Sequence, residues 1–279
     1  MSGQITWITG AGGLIGSHLM ETADSTAPDW KPAALTRATV DLADFIAVEK
    51  LFRDQDPVAI LHCAAMSRSP DCQKNPDEAR RQNVEVTRAL AELAADIPFV
   101  FMSTDLVFDG QKGDYVETDP VNPLSVYAET KLAAEEIVLA NPKHLVVRTS
   151  LNAGKSPTGD RGMDEQMIQT WRAGKTMILF TDEFRCPIPA SATARAIWEL
   201  INAKASGLFH IAGSERLSRW QIGELLTARH REFRNLISPS SLKSYAGAPR
   251  SPDTSLNCSK AQASLVFDLP KFSDWLANE

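Results

Sequence analysis

The feature that most constrains the fold is a regular alternation of short apolar runs with longer segments of helical periodicity over the first 150 residues. The apolar runs are QITWITG, KPAALTR, VAILHCAA, IPFVFMST and HLVVRTS. Strands that alternate with helices are joined by right-handed crossovers, which makes the strands parallel within one sheet. Helices then cover both faces of the sheet, and this explains why the runs are almost continuously apolar. The pattern predicts an α/β fold with a doubly wound parallel sheet.

A glycine-rich loop, TGAGGLIGSHL, follows the first predicted strand and opens the first predicted helix. Glycines in this position let the backbone turn tightly and approach a pyrophosphate, whose charge meets the helix N-terminus. The strand–loop–helix context favours dinucleotide binding over a simple tight turn and indicates a Rossmann-type sheet. We expect the residues near the pyrophosphate to be Gly10, Gly12, Gly13, Leu14, Ile15 and Gly16.

The end of the second predicted strand bears on the choice of cofactor. An acidic residue there would bind a ribose 2′-hydroxyl, whereas an arginine accommodates a 2′-phosphate. This chain has Arg37 at that point and no acidic residue before Asp41. We therefore expect NADP(H), with NAD(H) as the alternative, although Arg37 could also be a solvated charge. Asp41 and Leu42 are expected near the adenine, and Cys63, Ala64 and Ala65 at the mouth of the third strand.

The second half of the chain has a different character. It opens with a loop rich in glycine and proline, NAGKSPTGDRG, and continues with three helical patterns, near Asp164–Ala173, Thr193–Ala203 and Ser218–Arg229. Two short strand candidates, GLFHIA and NLISP, lie between and after them. We expect residues 1–150 to form a dinucleotide-binding domain and residues 151–279 to form a smaller C-terminal substrate lobe, with some elements returning to the first sheet.

Composition excludes several classes of function. A net charge of −6 without any basic run argues against nucleic acid as a partner. The four cysteines are scattered and form no C-x-x-C, so neither a zinc site nor a disulfide framework is expected. The N-terminal residues do not resemble a signal peptide, and no apolar run is long enough to span a membrane. We expect a cytoplasmic protein with no metal; the oligomeric state is open, with a homodimer as one possibility.

A tyrosine and a lysine stand four residues apart in the segment VYAETKLAAEE, at Tyr127 and Lys131. The segment favours a helix, and residues four apart share one helix face. Upstream, a predicted strand ends in Ser103, Thr104 and Asp105, and ligands of open α/β sheets bind beyond the carboxyl ends of strands. Each feature alone has an ordinary structural explanation, such as a packed tyrosine or a turn hydroxyl.

Together, the glycine loop, STD and Y-x-x-x-K resemble the extended short-chain dehydrogenase/reductase family over nearly the whole chain. The segments STDLVFDG, PLSVYAETKLAAEE, VVRTS and APRSPDTSLNCSK are similar to the dTDP-4-dehydrorhamnose reductase branch. The resemblance implies an NAD(P)H-dependent reductase of a nucleotide-linked 4-keto sugar. Tyr127 would donate the proton to the carbonyl oxygen, and Thr104 would hydrogen-bond that oxygen. Lys131 would hold the nicotinamide ribose and lower the pKa of the phenol.

The chain departs from the pattern of this branch at three positions. Leu106 and Leu151 replace a tyrosine and a tryptophan that lie near the substrate side, and Ala128 replaces a glycine. The identity of the sugar nucleotide is therefore open. Asp105 is expected on the substrate side, while Arg185 and Arg250 are candidates for its phosphates or else surface charges.

Two other functions stay open for this combination of motifs. A nucleotide-sugar epimerase shares it, and so does an NADP-binding regulatory subunit resembling that of methionine adenosyltransferase. A dehydratase is disfavoured, because Leu106 occupies the position of its glutamate.

Overall fold

A computed structural model of the protein describes residues 4–279. Residues 1–3 lie outside the described residues. They fall within the predicted first domain and within the N-terminal segment that does not resemble a signal peptide. The strands are β1 Gln4–Thr9, β2 Trp30–Leu35, β3 Ala59–His62, β4 Phe99–Thr104, β5 Leu145–Thr149, β6 Asn152–Ala153, β7 Met177–Phe180, β8 Phe184–Arg185, β9 Ile188–Pro189, β10 Gly207–Ile211, β11 Leu217–Ser218 and β12 Ile237–Ser240.

The helices alternate with the strands in the first half and dominate the second. They are α1 Leu14–Thr26, α2 Phe45–Gln55, α3 Ser69–Lys74, α4 Pro76–Arg80, α5 Val86–Leu93, α6 Val126–Leu139, α7 Met163–Arg172, α8 Ala190–Asn202, α9 Arg219–Arg229, α10 Ser259–Gln262 and α11 Phe272–Asn278. Short 3-10 turns follow β4 at Asp105–Val107 and lie near β12 at Arg231–Leu236 and Leu242–Ser244. Within residues 4–279, no helix has both the length and the apolarity that a membrane span requires.

Six strands form one parallel sheet in the order β10-β5-β4-β3-β1-β2. The predicted doubly wound α/β sheet is therefore confirmed. The order reverses at β1, with β2 on one side and β3 on the other, and this reversal creates the crevice in which such sheets bind ligands. β10 comes from the second half of the chain and completes the sheet beside β5.

Adjacent residues of the strands belong to different cores because side chains alternate across a sheet. Trp7 of β1 packs with α2, α5 and α6 on one face, whereas Ile8 packs with α1 and α8 on the other. β4 follows the same rule, with Phe101 on the α6 face and Met102 on the α8 face. α6 is thus fixed against the strand that ends in Ser103 and Thr104.

The C-terminal lobe has a core of its own. It joins α7, α9 and α11 around buried residues such as Met167, Trp171, Ile222 and Phe272. Three two-stranded sheets, β11–β8, β12–β7 and β6–β9, connect these helices. Of these strands, the apolar pattern predicted only the region of β12. The others are two residues long, or four in β7, which is too short for a periodicity to appear.

The helical stretch between β3 and β4 runs from Pro76 to Leu93 and changes its hydrogen-bond pattern in the middle. The structure has α4, a π-helical turn at Arg81–Glu85 and then α5, with the additional short helix α3 before them. The turn holds Asn83, whose amide binds the backbone of Met66 at 2.8 and 3.1 Å and the hydroxyl of Thr130 at 3.0 Å. A helix residue drawn into a long-range network of this kind accounts for the extra residue in the turn.

Candidate active site

The glycine loop between β1 and α1 packs tightly against the end of β3. Gly10 has a φ of +67°, and a Cβ there would lie 2.8 Å from the amide nitrogen of Ala64. A Cβ on Gly16 would lie 2.3 Å from the carbonyl oxygen of Gly10, so the first turn of α1 rests directly on the loop. At Gly12 the equivalent position has nothing within 4 Å. The loop is therefore closed toward the protein and open toward a ligand, as pyrophosphate binding requires.

The remaining loop residues lead into α1. Gly13 precedes the helix and donates its amide to the carbonyl of Gly10 at 2.8 Å, while Leu14 and Ile15 form the first helical turn. Leu14 is buried and Ile15 is half-buried. These positions put backbone N–H groups, rather than side chains, at the helix N-terminus.

Arg37 lies close to this loop, because the amide of Ala11 contacts the carbonyl of Leu35 at 3.4 Å where β2 ends. Arg37 is exposed, and across residues 4–279 its guanidinium makes no ion pair. Asp41 is also exposed and accepts a hydrogen bond from the amide of Ala43 at 3.0 Å, and Leu42 is half-buried. A cation beside the glycine loop without a protein partner suits a 2′-phosphate.

Cys63, Ala64 and Ala65 follow β3 and are half-buried at the crevice. Burial raises the pKa of the Cys63 thiol to about 12, so the thiol stays protonated. His62 tethers this edge, with Nδ1 2.7 Å from the hydroxyl of Thr9 and Nε2 3.1 Å from that of Thr87. Burial lowers the pKa of His62 to about 3, so the ring is neutral.

Tyr127 and Lys131 lie one turn apart on α6, whose first turn is capped by the hydroxyl of Ser125. Tyr127 is half-buried and Lys131 is buried, with 2% of its surface exposed. The Lys131 ammonium lies 3.8 Å from the centre of the Phe101 ring on β4, a cation–π contact. The helix and the sheet together hold the cation in a dry position behind the phenol.

The electrostatics of the pair differ from the prediction. Burial and the nearby Asp105 carboxylate raise the pKa of Tyr127, and the Thr104 hydroxyl offsets part of this. Burial lowers the pKa of Lys131 to about 7, against the opposing effect of Glu135. The net shift of the phenol pKa is therefore opposite to the lowering expected from Lys131, and burial and Asp105 are its causes. A phenol with a raised pKa is protonated at neutral pH, which is the state a proton donor needs.

Thr104 and Asp105 form a buried polar network at the carboxyl end of β4. The Thr104 hydroxyl donates to Oδ1 of Asp105 at 3.3 Å. Oδ2 of Asp105 accepts hydrogen bonds from Ser150 at 2.8 Å and from Arg185 and Thr254 at 3.0 Å each. Asp105 was predicted on the substrate side, and the structure shows that its carboxylate is fully engaged by protein donors. Its direct effect is to orient Thr104 and Arg185.

Two of the predicted arginines lie in one cluster with a third. Arg250 binds Glu183 through two hydrogen bonds of 2.8 and 2.9 Å, and Arg185 lies 3.5 Å from the same carboxylate. Arg219, which begins α9, makes no side-chain hydrogen bond or ion pair within residues 4–279. Burial lowers the pKa of Arg219 to about 10, and the two neighbouring arginines add to this effect. With Asp105, three guanidinium groups face two carboxylates, which leaves one excess positive charge.

The structure brings together Thr104, Asp105, Tyr127 and Arg185, with Lys131 one turn beyond Tyr127 on α6 and the glycine loop packed against the end of β3. Sequence reasoning missed four residues of the network, which are Ser150, Glu183, Arg219 and Thr254. Ser150 and Thr254 lie within the segments VVRTS and APRSPDTS, whose similarity to the reductase branch could have indicated them. Glu183 and Arg219 lie in no motif that was singled out, and only the fold reveals them.

The part of the chain that the structure describes contains no group of three His, Cys, Asp or Glu side chains placed to hold an ion. The four cysteines are free thiols, and Cys72 and Cys186 are buried.

Comparison with protein families gives a match over almost the entire chain. The model described as the RmlD substrate binding domain matches residues 5–278. This match confirms the resemblance that the motifs predicted.

Three relatives cover the chain at similar levels of identity. A probable low-salt glycan biosynthesis reductase of Haloferax volcanii is 31% identical over 97% of this chain and 95% of that protein. A dTDP-4-dehydrorhamnose reductase of Sinorhizobium fredii is 29% identical over 96% and 93%. The methionine adenosyltransferase 2 subunit beta of Bos taurus is 28% identical over 91% and 80%.

A solved structure shows the same fold. The dTDP-4-dehydrorhamnose reductase of Bacillus anthracis, in complex with NADP, superposes with a TM-score of 0.87. The superposition covers 99% of this chain and 98% of that one, at 21% identity. The predicted Rossmann-type architecture is confirmed by this similarity.

Proposed function

Because the chain belongs to the RmlD substrate binding domain family, we propose that it is an NADPH-dependent reductase of a nucleotide-linked 4-keto sugar. The relatives from Haloferax volcanii and Sinorhizobium fredii are both named as reductases, which supports this activity. The observation that carries the proposal is the placement of the Tyr127 phenol next to Thr104 at the carboxyl end of β4, with Lys131 one turn behind it.

NADPH, when bound, supplies the hydride that reduces the carbonyl carbon. The residues that would hold it are the glycine loop, Arg37 and Lys131, and the tight approach of Gly10 to Ala64 fits this role. Tyr127 transfers its phenolic proton to the carbonyl oxygen, so that no free alkoxide forms. Thr104 orients the same oxygen, and Asp105 fixes the direction of the Thr104 hydroxyl. Reduction by this route needs a protonated phenol, which the raised pKa of Tyr127 provides.

The arginine cluster supports a substrate with phosphate groups. Arg185 is held by hydrogen bonds to Asp105 and Thr254, so it is not free to move toward a ligand. Its role is to support the neighbouring arginines of the cluster. The Arg219 guanidinium has no side-chain partner among residues 4–279, and the Arg250 guanidinium is partly exposed. A planar guanidinium can bind phosphate oxygens through two hydrogen bonds. We propose that Arg219 and Arg250 bind the diphosphate and that Arg185 supports them.

Two leucines bear on the identity of the sugar. Leu106 and Leu151 are half-buried beside the Asp105–Ser150 network, at the two positions where an aromatic side chain is expected in this branch. Two leucines are smaller and lack a polar group, so we propose a sugar other than the deoxysugar of the typical reductase.

The proposal is tested by mixing the protein with NADPH and a panel of nucleotide-linked 4-keto sugars and following the loss of NADPH absorbance. Tyr127→Phe is the matched control, because it removes one oxygen and no packing volume. At least one sugar should be reduced by the parent protein and not by the variant. Equal rates for the two proteins on every sugar would overturn the proposal.

A second candidate is a binding role without turnover, because the methionine adenosyltransferase 2 subunit beta is almost as similar to this chain as the reductases are. In that role the protein would bind NADP and a partner enzyme. Copurification of a discrete partner, together with no NADPH oxidation on any sugar, would favour it. An epimerase would instead interconvert two sugar nucleotides without net consumption of NADPH. Analysis of the sugar nucleotides after the same incubation would detect this conversion.

We also propose a cytoplasmic location. Free thiols at all four cysteines are typical of proteins in a reducing compartment. Fractionation of source cells, with the protein detected by an antibody, tests this location.

A further inference from the structure

A buried ion pair lies directly behind Lys131. Glu135 and Arg148 are 1% and 3% exposed, and they are joined by three hydrogen bonds between the guanidinium and the carboxylate, of 3.0, 3.2 and 2.7 Å. Ser103 also donates its hydroxyl to Glu135 Oε1. The pair is not needed for the proton transfer or the phosphate binding described above.

The fold aligns this pair with the catalytic helix. Tyr127, Lys131 and Glu135 follow one another at intervals of four residues along α6, so they occupy one face of the helix. Ser103 on β4 is paired in register with Arg148 on β5, and these neighbours form the floor on which Glu135 lies. The sheet therefore fixes the carboxylate one turn beyond the Lys131 ammonium.

Stability does not explain the pair. Removing two charges from water costs several kcal/mol, and apolar residues of similar volume often give equal or greater stability. The arrangement is also incomplete, because Nη1 of Arg148 is buried without a hydrogen-bond partner within residues 4–279. Nε2 of His210, which is next to Arg148 in the sheet register, is in the same condition. A costly and unsatisfied pair beside the active site points to a role in function.

We propose that Glu135, held in place by Arg148 and Ser103, is a positioning residue that keeps Lys131 cationic and so able to bind the nicotinamide ribose. This inference rests on the cofactor role proposed for Lys131. Glu135 touches neither substrate nor cofactor and acts through the lysine.

The charges around Lys131 support this role. The titratable groups that interact electrostatically with Lys131 are Glu135 on α6 and His62 and Cys63 at the end of β3. Tyr127 lies one turn away on the same helix, where Asp105 and Cys72 act on it, and Arg148 on β5 pairs with Glu135. Two neutral side chains border these groups, because Asn83 in the π-helical turn contacts Thr130 on α6 and Thr87 on α5 contacts His62. His62, with a pKa of about 3, and Cys63, with a pKa of about 12, are both neutral near pH 7. Glu135 gives the largest charge effect opposing the burial that lowers the pKa of Lys131 to about 7.

The test measures the dissociation constant of NADPH against pH for the parent and for Glu135→Gln. Protonated Lys131 binds the ribose, so binding weakens as pH rises through its pKa. Without the carboxylate that pKa falls, and the weakening should begin at a pH lower by roughly one unit or more. Glu199→Gln is the matched control, because Glu199 pairs with Arg195 on α8, on the opposite face of the sheet. Its pH profile should match that of the parent.

A double variant separates positioning from folding. Glu135→Leu with Arg148→Met leaves no unpaired buried charge, so thermal stability lost in Glu135→Gln should return. The pH at which NADPH binding begins to weaken should stay lower than in the parent, because the carboxylate of Glu135 is still missing. Restored stability together with a parental pH profile would show that the pair is only structural.

A second background tests whether the effect runs through Lys131. In Lys131→Met, adding Glu135→Gln should leave the pH profile of NADPH binding unchanged, because the titrating group is gone. A shift of the same size in that background, or parental NADPH affinity in Lys131→Met itself, would overturn the inference. Since no sugar is used, these outcomes are independent of whether a substrate is reduced.

Discussion

The two sides of the candidate active site are built in opposite ways. On the cofactor side, the glycine loop is a continuous stretch from Gly10 to Gly16, and its geometry depends on backbone contacts such as that between Gly10 and Ala64. On the substrate side, Asp105 collects hydrogen bonds from Ser150, Arg185 and Thr254, which are 45, 80 and 149 residues away along the chain. One side is local in sequence, and the other exists only after the C-terminal lobe has folded onto the sheet.

This difference determines how each side should respond to mutation. A backbone site tolerates changes that leave its open side free, and the nearby Arg37 is exposed and makes no ion pair in the described part of the chain. A buried network of ions cannot lose one member without leaving another unpaired. We therefore expect cofactor-side substitutions at open positions, such as Gly12 and Arg37, to alter affinity with small effects on folding, and substrate-side substitutions to alter both.

The largest effect is expected where the two sides meet, at Tyr127. Tyr127→Phe removes the proton donor while keeping the ring packed, so turnover should fall by roughly a hundredfold to ten-thousandfold. NADPH affinity and melting temperature should stay near the parent values, because the ribose contact is made by Lys131. Steady-state rates on an accepted sugar and fluorescence titration with NADPH measure the two quantities. A variant that keeps its turnover would place the proton donor elsewhere.

On the substrate side, Asp105→Asn removes the charge that faces Arg185 in a buried position. The free energy of unfolding should fall by about 3 kcal/mol, because an uncompensated guanidinium stays buried. Sugar-nucleotide affinity should fall as well, since Asn has only one acceptor oxygen and cannot orient both Thr104 and Arg185. Denaturant unfolding measures the first effect and calorimetric titration the second.

Asp96→Asn is the matched comparison for Asp105→Asn. Asp96 pairs with Lys143, but its side chain is 96% exposed, so its loss should cost less than about 0.5 kcal/mol. If both variants were equally stable, the network at Asp105 would contribute no more than a surface pair does.

The contrast between the two sides also explains what the sequence could predict. The strands β1 to β5 and the helix carrying Tyr127 are long periodic segments, so their type and order could be inferred from apolar spacing. Gly10 and Gly16 could be inferred because a tight turn next to a helix has a local signature. Glu183 and Arg219 flank strands of only two residues, β8 and β11, whose pairing depends on the whole lobe. No local pattern specifies such contacts.

The pKa values were beyond prediction for the same reason. The spacing of Tyr127 and Lys131 indicated an attraction between phenolate and ammonium. The folded chain adds burial and the Asp105 carboxylate, and these raise the pKa of the phenol instead. Burial is a property of the complete fold, so the sign of the shift could not follow from two residues on one helix.

On the cofactor side, two glycines of one loop should respond differently. Gly10→Ala forces a Cβ to within 2.8 Å of the Ala64 backbone at a φ of +67°, so the protein should lose about 2 kcal/mol of stability. Gly12→Ala meets open space and should melt near the parent temperature, yet it should weaken NADPH binding because its methyl group enters the approach of the pyrophosphate. Thermal unfolding with and without NADPH separates the two effects. Equal melting temperatures for the two variants would contradict the close packing at Gly10.

The smallest effect is expected at Arg37, where the cofactor side relies on a single exposed cation. Its guanidinium is unpaired within residues 4–279 and lies just beyond the end of β2, beside the glycine loop. Arg37→Ala should weaken NADPH binding by about tenfold, or ~1.4 kcal/mol, because an exposed contact is partly screened by solvent. NADH binding should be unchanged, since that cofactor has no 2′-phosphate to lose a partner. Titration of both cofactors at low and at moderate salt makes the comparison, and the preference for NADPH should narrow as salt increases. If the parent protein binds the two cofactors with equal affinity, Arg37 does not contact the 2′-phosphate, and the proposed preference for NADPH is wrong.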